Sequence, residues 1–174
     1  MPRLLLLRHA KSSWADPGQS DFDRPLNSRG RATAPVMARF VVEQGLAPQR
    51  VVCSTARRAR ETLALMLPAI ATDLEATLSR RLYEADAEGY LTAARTAGGT
   101  AGTLLLVGHN PAMEEVAMVL APTGDPDALL LLREKFPTCG LAVIDFDKPR
   151  WNDIGPGAGR LTAFHTPKSV GGED

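Results

Sequence analysis

The chain has 174 residues, 44% of them hydrophobic, which suits one globular domain with a substantial core. Its 20 basic and 20 acidic residues cancel to a formal net charge of zero, which argues against a general partner in nucleic acid or an acidic membrane. No apolar stretch approaches the roughly twenty residues of a membrane span, and Arg8 interrupts the N-terminal apolar run too early for a signal peptide, so a cytoplasmic location is expected.

From the N-terminus, Leu4-Leu5-Leu6-Leu7 predicts a buried strand over Arg3–Arg8, with Arg8-His9 where the chain would leave the sheet. In open α/β sheets the crevice beyond the strands' carboxyl ends is where ligands bind, so an imidazole beside a permanent cation there suits chemistry better than packing. A helix follows near Gly30–Gln44. Pro35 should kink it or mark a restart at Thr33, and Gly45 should end it.

Arg50–Cys53 predicts the next strand, and Arg57–Leu67 a helix carrying Leu63, Met66 and Leu67 on one face. Arg57, Arg58 and Arg60 crowd the first turn of that helix, where the macrodipole disfavours cations. Broken local rules concentrate at functional sites, which points to a bound anion. A cysteine before an arginine-rich turn raises the cysteine-phosphatase arrangement, but that loop needs arginine six positions on, and Ala59 stands there. Cys53 therefore reads as a core thiol. Cys53 and Cys139 form no C-x-x-C pair and no disulfide framework, so buried thiols in a reducing compartment are expected.

Thr77–Ser79 is a short predicted strand, followed by the acidic segment Leu82-Tyr83-Glu84-Ala85-Asp86 and a helix over Ala87–Thr96. Gly98 to Gly102 reads as a flexible turn. Thr103–Val107 is a second buried strand, and it too delivers a histidine, in Gly108-His109-Asn110-Pro111. Asn110 and Pro111 read as N-cap and first position of a helix over Ala112–Leu120, with Glu114 and Glu115 in its first turn. A helix N-terminus favours anions and disfavours protonation of a nearby imidazole. The remaining strands are expected at Leu141–Phe146 and Arg160–His165, with His165 at a strand end and without chemistry. Gly155 to Gly159 leads into a strand, so it predicts a hairpin-like loop and not a nucleotide-binding loop. A single domain over 1–167 and a loose tail from Lys168 to Asp174 complete the organisation. Strand and helix alternate for most of the length, which predicts a three-layer α/β/α sandwich around about six strands.

Arg8-His9-Ala10, the Ser54-x-Ala56-x-Arg58-Ala59-x-x-Thr62 segment and Gly108-His109 occur in one order, each in matching strand or helix context. In this the chain resembles the histidine phosphatase superfamily. Arg8-His9-Ala10-Lys11-Ser12-Ser13-Trp14 and Asp21-x-x-Arg24-Pro25-Leu26-x-x-x-Gly30 are similar to the small SixA-type phosphohistidine phosphatases. The resemblance implies the phosphoglycerate mutase-like fold, a mostly parallel sheet with one antiparallel strand. It implies His9 as the nucleophile that becomes phosphorylated, Arg8 and Arg58 as grips on the phosphoryl oxygens, and His109 as the residue completing the pocket. Arg57 is the poorer candidate for the grip, because the motif's arginine directly precedes Ala59.

The physical logic agrees. A neutral imidazole nitrogen can attack phosphorus if its other nitrogen is held by a fixed acceptor, and clustered arginines help keep it unprotonated. Planar guanidinium groups match phosphate oxygens and balance charge in a loose phosphoryl transition state. With no metal-ligand cluster and no P-loop in the sequence, no metal and no cofactor are expected.

The leaving group also needs a proton. By resemblance Glu84 lies in the segment where relatives often carry a carboxylate donor, with Asp86 and Glu88 as alternatives, or with a donor unnecessary if the leaving group departs easily, as the imidazole of phosphohistidine does. Lys11, Ser12 and Arg24 could line the pocket mouth as charge and hydroxyl partners. The short chain leaves little for the insertions that cover the pocket in sugar-phosphate relatives. An open mouth admits phosphohistidine on a signalling phosphotransfer protein, and the alternatives are a small phosphoester or phosphoanhydride substrate, or a module that binds phosphoproteins without turnover. Oligomeric state is left open by these patterns.

Overall fold

A computed structural model describes residues 1–172. Seven strands form one sheet: β1 (Arg3–Arg8), β2 (Arg50–Ser54), β3 (Glu75–Ser79), β4 (Thr103–Gly108), β5 (Thr123–Gly124), β6 (Leu141–Phe146) and β7 (Gly159–His165), in the order β3-β2-β4-β1-β6-β7-β5. Neighbours are parallel except where β6 meets β1 and β7, so β6 is the single antiparallel member. The expected sheet is present, with the two-residue β5 added at its edge.

The helices are α1 (Ser28–Glu43), α2 (Arg57–Met66), α3 (Arg80–Glu84), α4 (Ala87–Ala97), α5 (Ala112–Leu120) and α6 (Pro126–Glu134). The strands' side chains sort them into two outer layers. Leu4 and Leu6 of β1 join Leu104 and Leu106 of β4 in a core covered by α4, α5 and α6, through Tyr90, Met113, Val116 and Leu132. Leu5 and Leu7 join Leu105 and Val107 on the opposite face, covered by α1 and α2 through Met37, Val41, Leu63 and Met66. The period of two thus splits one apolar run between two cores, and all four leucines of β1 are at most 1% exposed. Each buried leucine is worth about 1.5–3 kcal/mol relative to exposure.

Local expectations meet tertiary packing in four places. Pro35 neither breaks nor restarts α1, which runs unbroken from Ser28 to Glu43 with Ala34, Met37 and Ala38 buried. Packing of that face outweighs the missing donor. Gly45 does terminate the region, at φ 69°, with its N–H donating to Val42 O. The start of α5 is shifted: Pro111 is the N-cap residue, Ala112 opens the helix, and Asn110 turns its amide to the Phe136 carbonyl at 3.0 Å. Lys168–Val170, assigned by sequence to a loose tail, form a 3-10 turn, and Gly172 N–H closes on Pro167 O at 2.8 Å. Val170 packs on the α1-α2 core, which gives this segment an anchor. Glu173 and Asp174 lie outside the described residues.

Candidate active site

β2, β4 and β1 are adjacent and parallel, so they open toward one edge of the sheet and bring Ser54, His109 and His9 together from sequence positions far apart. The His9 backbone is pinned there. Its N–H donates to Gly108 O at 3.0 Å, and the Cys139 N–H is shared between the carbonyls of Arg8 and His9. The Ala10 N–H donates to Thr62 Oγ1 at 3.0 Å, and that hydroxyl donates in turn to Arg58 O at 2.7 Å, tying the strand exit to the first turn of α2. Gly30 permits the start of α1 to approach, because a Cβ there would stand 2.2 Å from Lys11 O.

His9 is 5% exposed, and its two ring nitrogens have unambiguous partners. Nδ1 lies 2.7 Å from the Ala10 carbonyl, which can only accept, so Nδ1 carries the proton. Nε2 lies 3.2 Å from Arg58 Nε, which can only donate, so Nε2 presents a lone pair. Burial, aided by His109, Arg58 and Arg8 and opposed by the Ala10 carbonyl, holds the imidazole well below its ordinary pKa of 6.5. His9 is therefore neutral at pH 7.

Arg58 is the arginine of the α2 turn that enters the site. Besides Nε on His9, its Nη1 donates to Asp21 O at 2.6 Å and its Nη2 to Asp21 Oδ2 at 3.1 Å. Arg57 instead stays exposed and pairs with Glu61 at 2.9 Å, while Arg60 turns back to Thr55 O. Asp21 also accepts from Tyr83 Oη at 2.7 Å and from Arg24 Nε at 3.2 Å. Burial alone would raise its carboxyl, but the Tyr83 and Arg58 hydrogen bonds, with Arg58's charge, bring it down to about 2. Arg24 is 7% exposed, donates to Ser12 Oγ at 2.6 Å, and stacks 3.5 Å over the exposed Trp14 ring.

His109 faces His9 with ring centroids 5.2 Å apart. Its Nε2 is 2.7 Å from Ser54 Oγ, and its backbone N–H donates to Tyr90 Oη at 2.8 Å. Tyr90 reaches that point because residue 108 is glycine: a Cβ would lie 2.0 Å from the phenol oxygen. Burial and the charge of Arg58, opposed by Asp21, lower the His109 imidazole to about 4. Arg8 donates through Nη1 to Phe136 O at 3.0 Å, leaving its buried Nε without a partner, as is His109 Nδ1.

These groups line a cavity of about 450 Å³ formed by Arg8, His9, Lys11, Ser12, Trp14, Asp21, Arg24, Arg58, His109, Asn110 and Thr138. Every proposed grip and mouth residue is in that set, and Glu84 is not. Glu84 is exposed and lies 3.4 Å from Arg80, while Asp86 caps α4 by accepting from Gly89 N–H. Sequence reasoning gave Asp21, Trp14, Tyr83 and Tyr90 no role in the site. Asp21 and Trp14 did sit inside the quoted motifs, which was the available signal. Cys53 is in the core, its thiol pushed up to about 12 by burial, so it offers no thiolate. His165 ends β7, its ring 4.5 Å from Phe40 on the far side of β6 from β1. Among the described residues no group of three or more His, Cys, Asp and Glu could hold a metal ion, and no helix is long and apolar enough to cross a membrane.

A neutral imidazole whose Nε2 lone pair faces Arg58, in a cavity lined by three guanidinium groups, has the chemistry to bind and attack a phosphoryl group. Residues 4–96 match the model of the histidine phosphatase superfamily, branch 1. The chain belongs to that superfamily, and within it to the SixA type. An uncharacterized protein of Mycobacterium tuberculosis is 39% identical over 164 residues, covering 93% of this chain and all of that one. A SixA protein from Agrobacterium tumefaciens, provisionally assigned as a phosphohistidine phosphatase, is 35% identical, with a TM-score of 0.78 over 96% of this chain and 99% of that one. The similarly assigned SixA of Nakamurella multipartitia is 28% identical, with a TM-score of 0.83 over 95% and 96%. The SixA-type chain is thus a histidine phosphatase by family.

Proposed function

We propose that this chain hydrolyses phosphohistidine on a signalling phosphotransfer protein through a phosphoenzyme formed on His9. The observation that carries the reading is the pair of contacts on His9: Ala10 O holds the proton on Nδ1, and Arg58 Nε faces the lone pair of Nε2. In the first half-reaction Nε2 attacks phosphorus, a new N–P bond forms, and the P–N bond to the substrate imidazole breaks. The electron pair returns to that imidazole, which takes a proton from water. In the second half-reaction water attacks the phosphoryl group, the His9 N–P bond breaks, phosphate leaves, and His9 is neutral again.

Arg8, Arg58 and Arg24 balance the charge on the equatorial oxygens, work that needs no metal. The buried Nε of Arg8 has no partner within the protein, which leaves one donor of this cavity-lining guanidinium unsatisfied. His109, held by Ser54 and by the backbone contact to Tyr90, completes the polar lining of the cavity.

The leaving group favours phosphohistidine over an alkyl phosphate. Among the described residues Asp21 is the single carboxylate lining the cavity, and with its pKa at about 2 it holds no proton to give at pH 7. An imidazole departs with less help than an alkoxide, so a site without a carboxylic acid suits it. The names of the SixA relatives point the same way.

The test is to incubate wild type and His9→Ala with a phosphotransfer protein phosphorylated on histidine, and with an aryl phosphate, while trapping acid-labile phosphoenzyme. Phosphate release by wild type alone, with label on His9, is expected. Faster turnover of the aryl phosphate would move the assignment to small phosphoesters. Binding of phosphate without turnover of either donor would make the chain a phosphoprotein-binding module.

A further inference from the structure

Beside the histidine cavity, and sharing Arg8, Lys11 and Thr138 with it, lies a groove of about 540 Å³. Arg8, Lys11, Arg29, Lys135 and Lys168 line it against one carboxylate, Glu134. Such a local excess is conspicuous in a chain whose charges cancel. Lys11, Arg29, Lys135 and Lys168 are exposed, and among the described residues none of the four makes an ion pair. Most of the other arginines near the site are satisfied internally, Arg58 and Arg24 by Asp21 and Arg57 by Glu61.

The four free cations come from four separate segments: the loop after β1, the first turn of α1, the residue closing α6, and the 3-10 turn at Lys168–Val170. Arg29 also sits in a helix first turn, where the macrodipole opposes it. Like charges gathered without counterions repel each other, and a bound anion relieves that repulsion. The groove begins at Arg8 and Lys11, so an occupant of the cavity whose negative charge continues past its phosphoryl group would run into it.

We infer that this groove docks an acidic segment of the phosphoprotein substrate beside its phosphohistidine, an inference that rests on the phosphohistidine reading above. The cations come from four separate segments, no aromatic side chain lines the groove for a nucleobase to stack on, and lysines serve as unspecific point charges. That pattern fits a row of Asp and Glu side chains better than a single second phosphate. Such a surface steers encounter and is sensitive to salt.

The experiment compares wild type with the triple variant Arg29→Glu/Lys135→Glu/Lys168→Glu, and with its neutral Gln counterpart, on the histidine-phosphorylated protein and on an aryl phosphate. For the protein, kcat/KM should fall roughly 10- to 100-fold with charge reversal, less with Gln, and lose its salt dependence. Aryl phosphate turnover should stay within about two-fold, because none of the three residues lines the histidine cavity. Unchanged kcat/KM on the protein overturns the groove while leaving the phosphohistidine reading standing, and an equal loss on both substrates also overturns it. A wild type inert toward the phosphoprotein brings down the phosphohistidine reading itself. In that case a fluorescent peptide of alternating Asp and Glu decides the groove by anisotropy: binding weakened by charge reversal supports an acidic protein partner, and no binding overturns it. Tripolyphosphate that displaces the peptide at lower concentration and is hydrolysed would name a small polyanion instead, and overturn the protein assignment.

Discussion

The two halves of the sheet use the same hydrophobic chemistry for different ends. In the parallel half, β3-β2-β4-β1, Ser54 ends β2 while His109 and His9 come directly after β4 and β1, and the site grows from these exits. In the other half, β6 runs the opposite way, and what it brings to that edge is its beginning: the loop before it supplies the Phe136 carbonyl for Arg8 and the Cys139 N–H for the His9 backbone. Parallel strands concentrate side chains at one edge, whereas the reversed strand supplies backbone groups that hold them. The difference teaches that the site's side chains come from the parallel exits, while the reversed strand adds backbone support to that given by Gly108 and Thr62.

The comparison is easiest to break at His9. His9→Ala should lower turnover at least about 10³-fold and abolish acid-labile phosphoenzyme, yet leave phosphate affinity to the arginines. A variant with near wild-type turnover would remove His9 from the chemistry.

Arg58→Ala should cost about 10²–10³-fold in kcat/KM, because it removes the donor to His9 Nε2 and the proposed phosphoryl grip together. Arg57→Ala, one residue earlier and facing Glu61, should stay within about two-fold. Equal losses in steady-state assays of the two would contradict the assignment of the grip.

Acid should act on the parallel half first. In the folded chain His9 titrates well below 6.5 and His109 at about 4, while the unfolded imidazoles titrate near 6.5. Between those values the unfolded chain binds more protons, so stability is full above about pH 6.5 and declines as pH falls toward 4. Asp21, at about 2 against an ordinary 3.8, adds its own loss only below about pH 4. Thermal midpoints from pH 7 to 4 should show this decline, flattened in His9→Gln/His109→Gln. The acid limb of kcat/KM should likewise lie below 6.5, since the lone pair on His9 persists there.

Smaller effects sharpen the contrast. Tyr90→Phe removes the acceptor for the His109 N–H and should cost about 1 kcal/mol of stability, read by denaturant unfolding, with a few-fold loss of kcat. His165→Gln, at the end of β7 in the other half, should leave turnover within about two-fold by the same assay.

Much of this is legible in the sequence alone. Leu4 to Leu7 and Leu104 to Val107 announce buried strands by composition alone, and their histidines sit at the exits because a strand's end is local information. α6 was within reach too: Asp125 caps it by accepting from Ala128 N–H and Pro126 opens it, but Leu129 to Leu132 is an apolar run that periodicity does not assign to helix or strand. α3 is five residues long, shorter than any pattern can announce.

The sequence by itself determined which residues are apolar and with what period, hence the buried strands, the two-core sandwich and the order of the Arg-His, Ser-x-Ala-x-Arg and Gly-His motifs. Only the tertiary structure decided which arginine of the α2 turn meets His9, that Asp21 and not Glu84 brings a carboxylate into the cavity, and that Tyr90 reaches His109 across Gly108. The reason is range. Periodicity and capping act over a few residues, while these contacts join positions 49, 37 and 19 residues apart, which packing alone brings within hydrogen-bond distance.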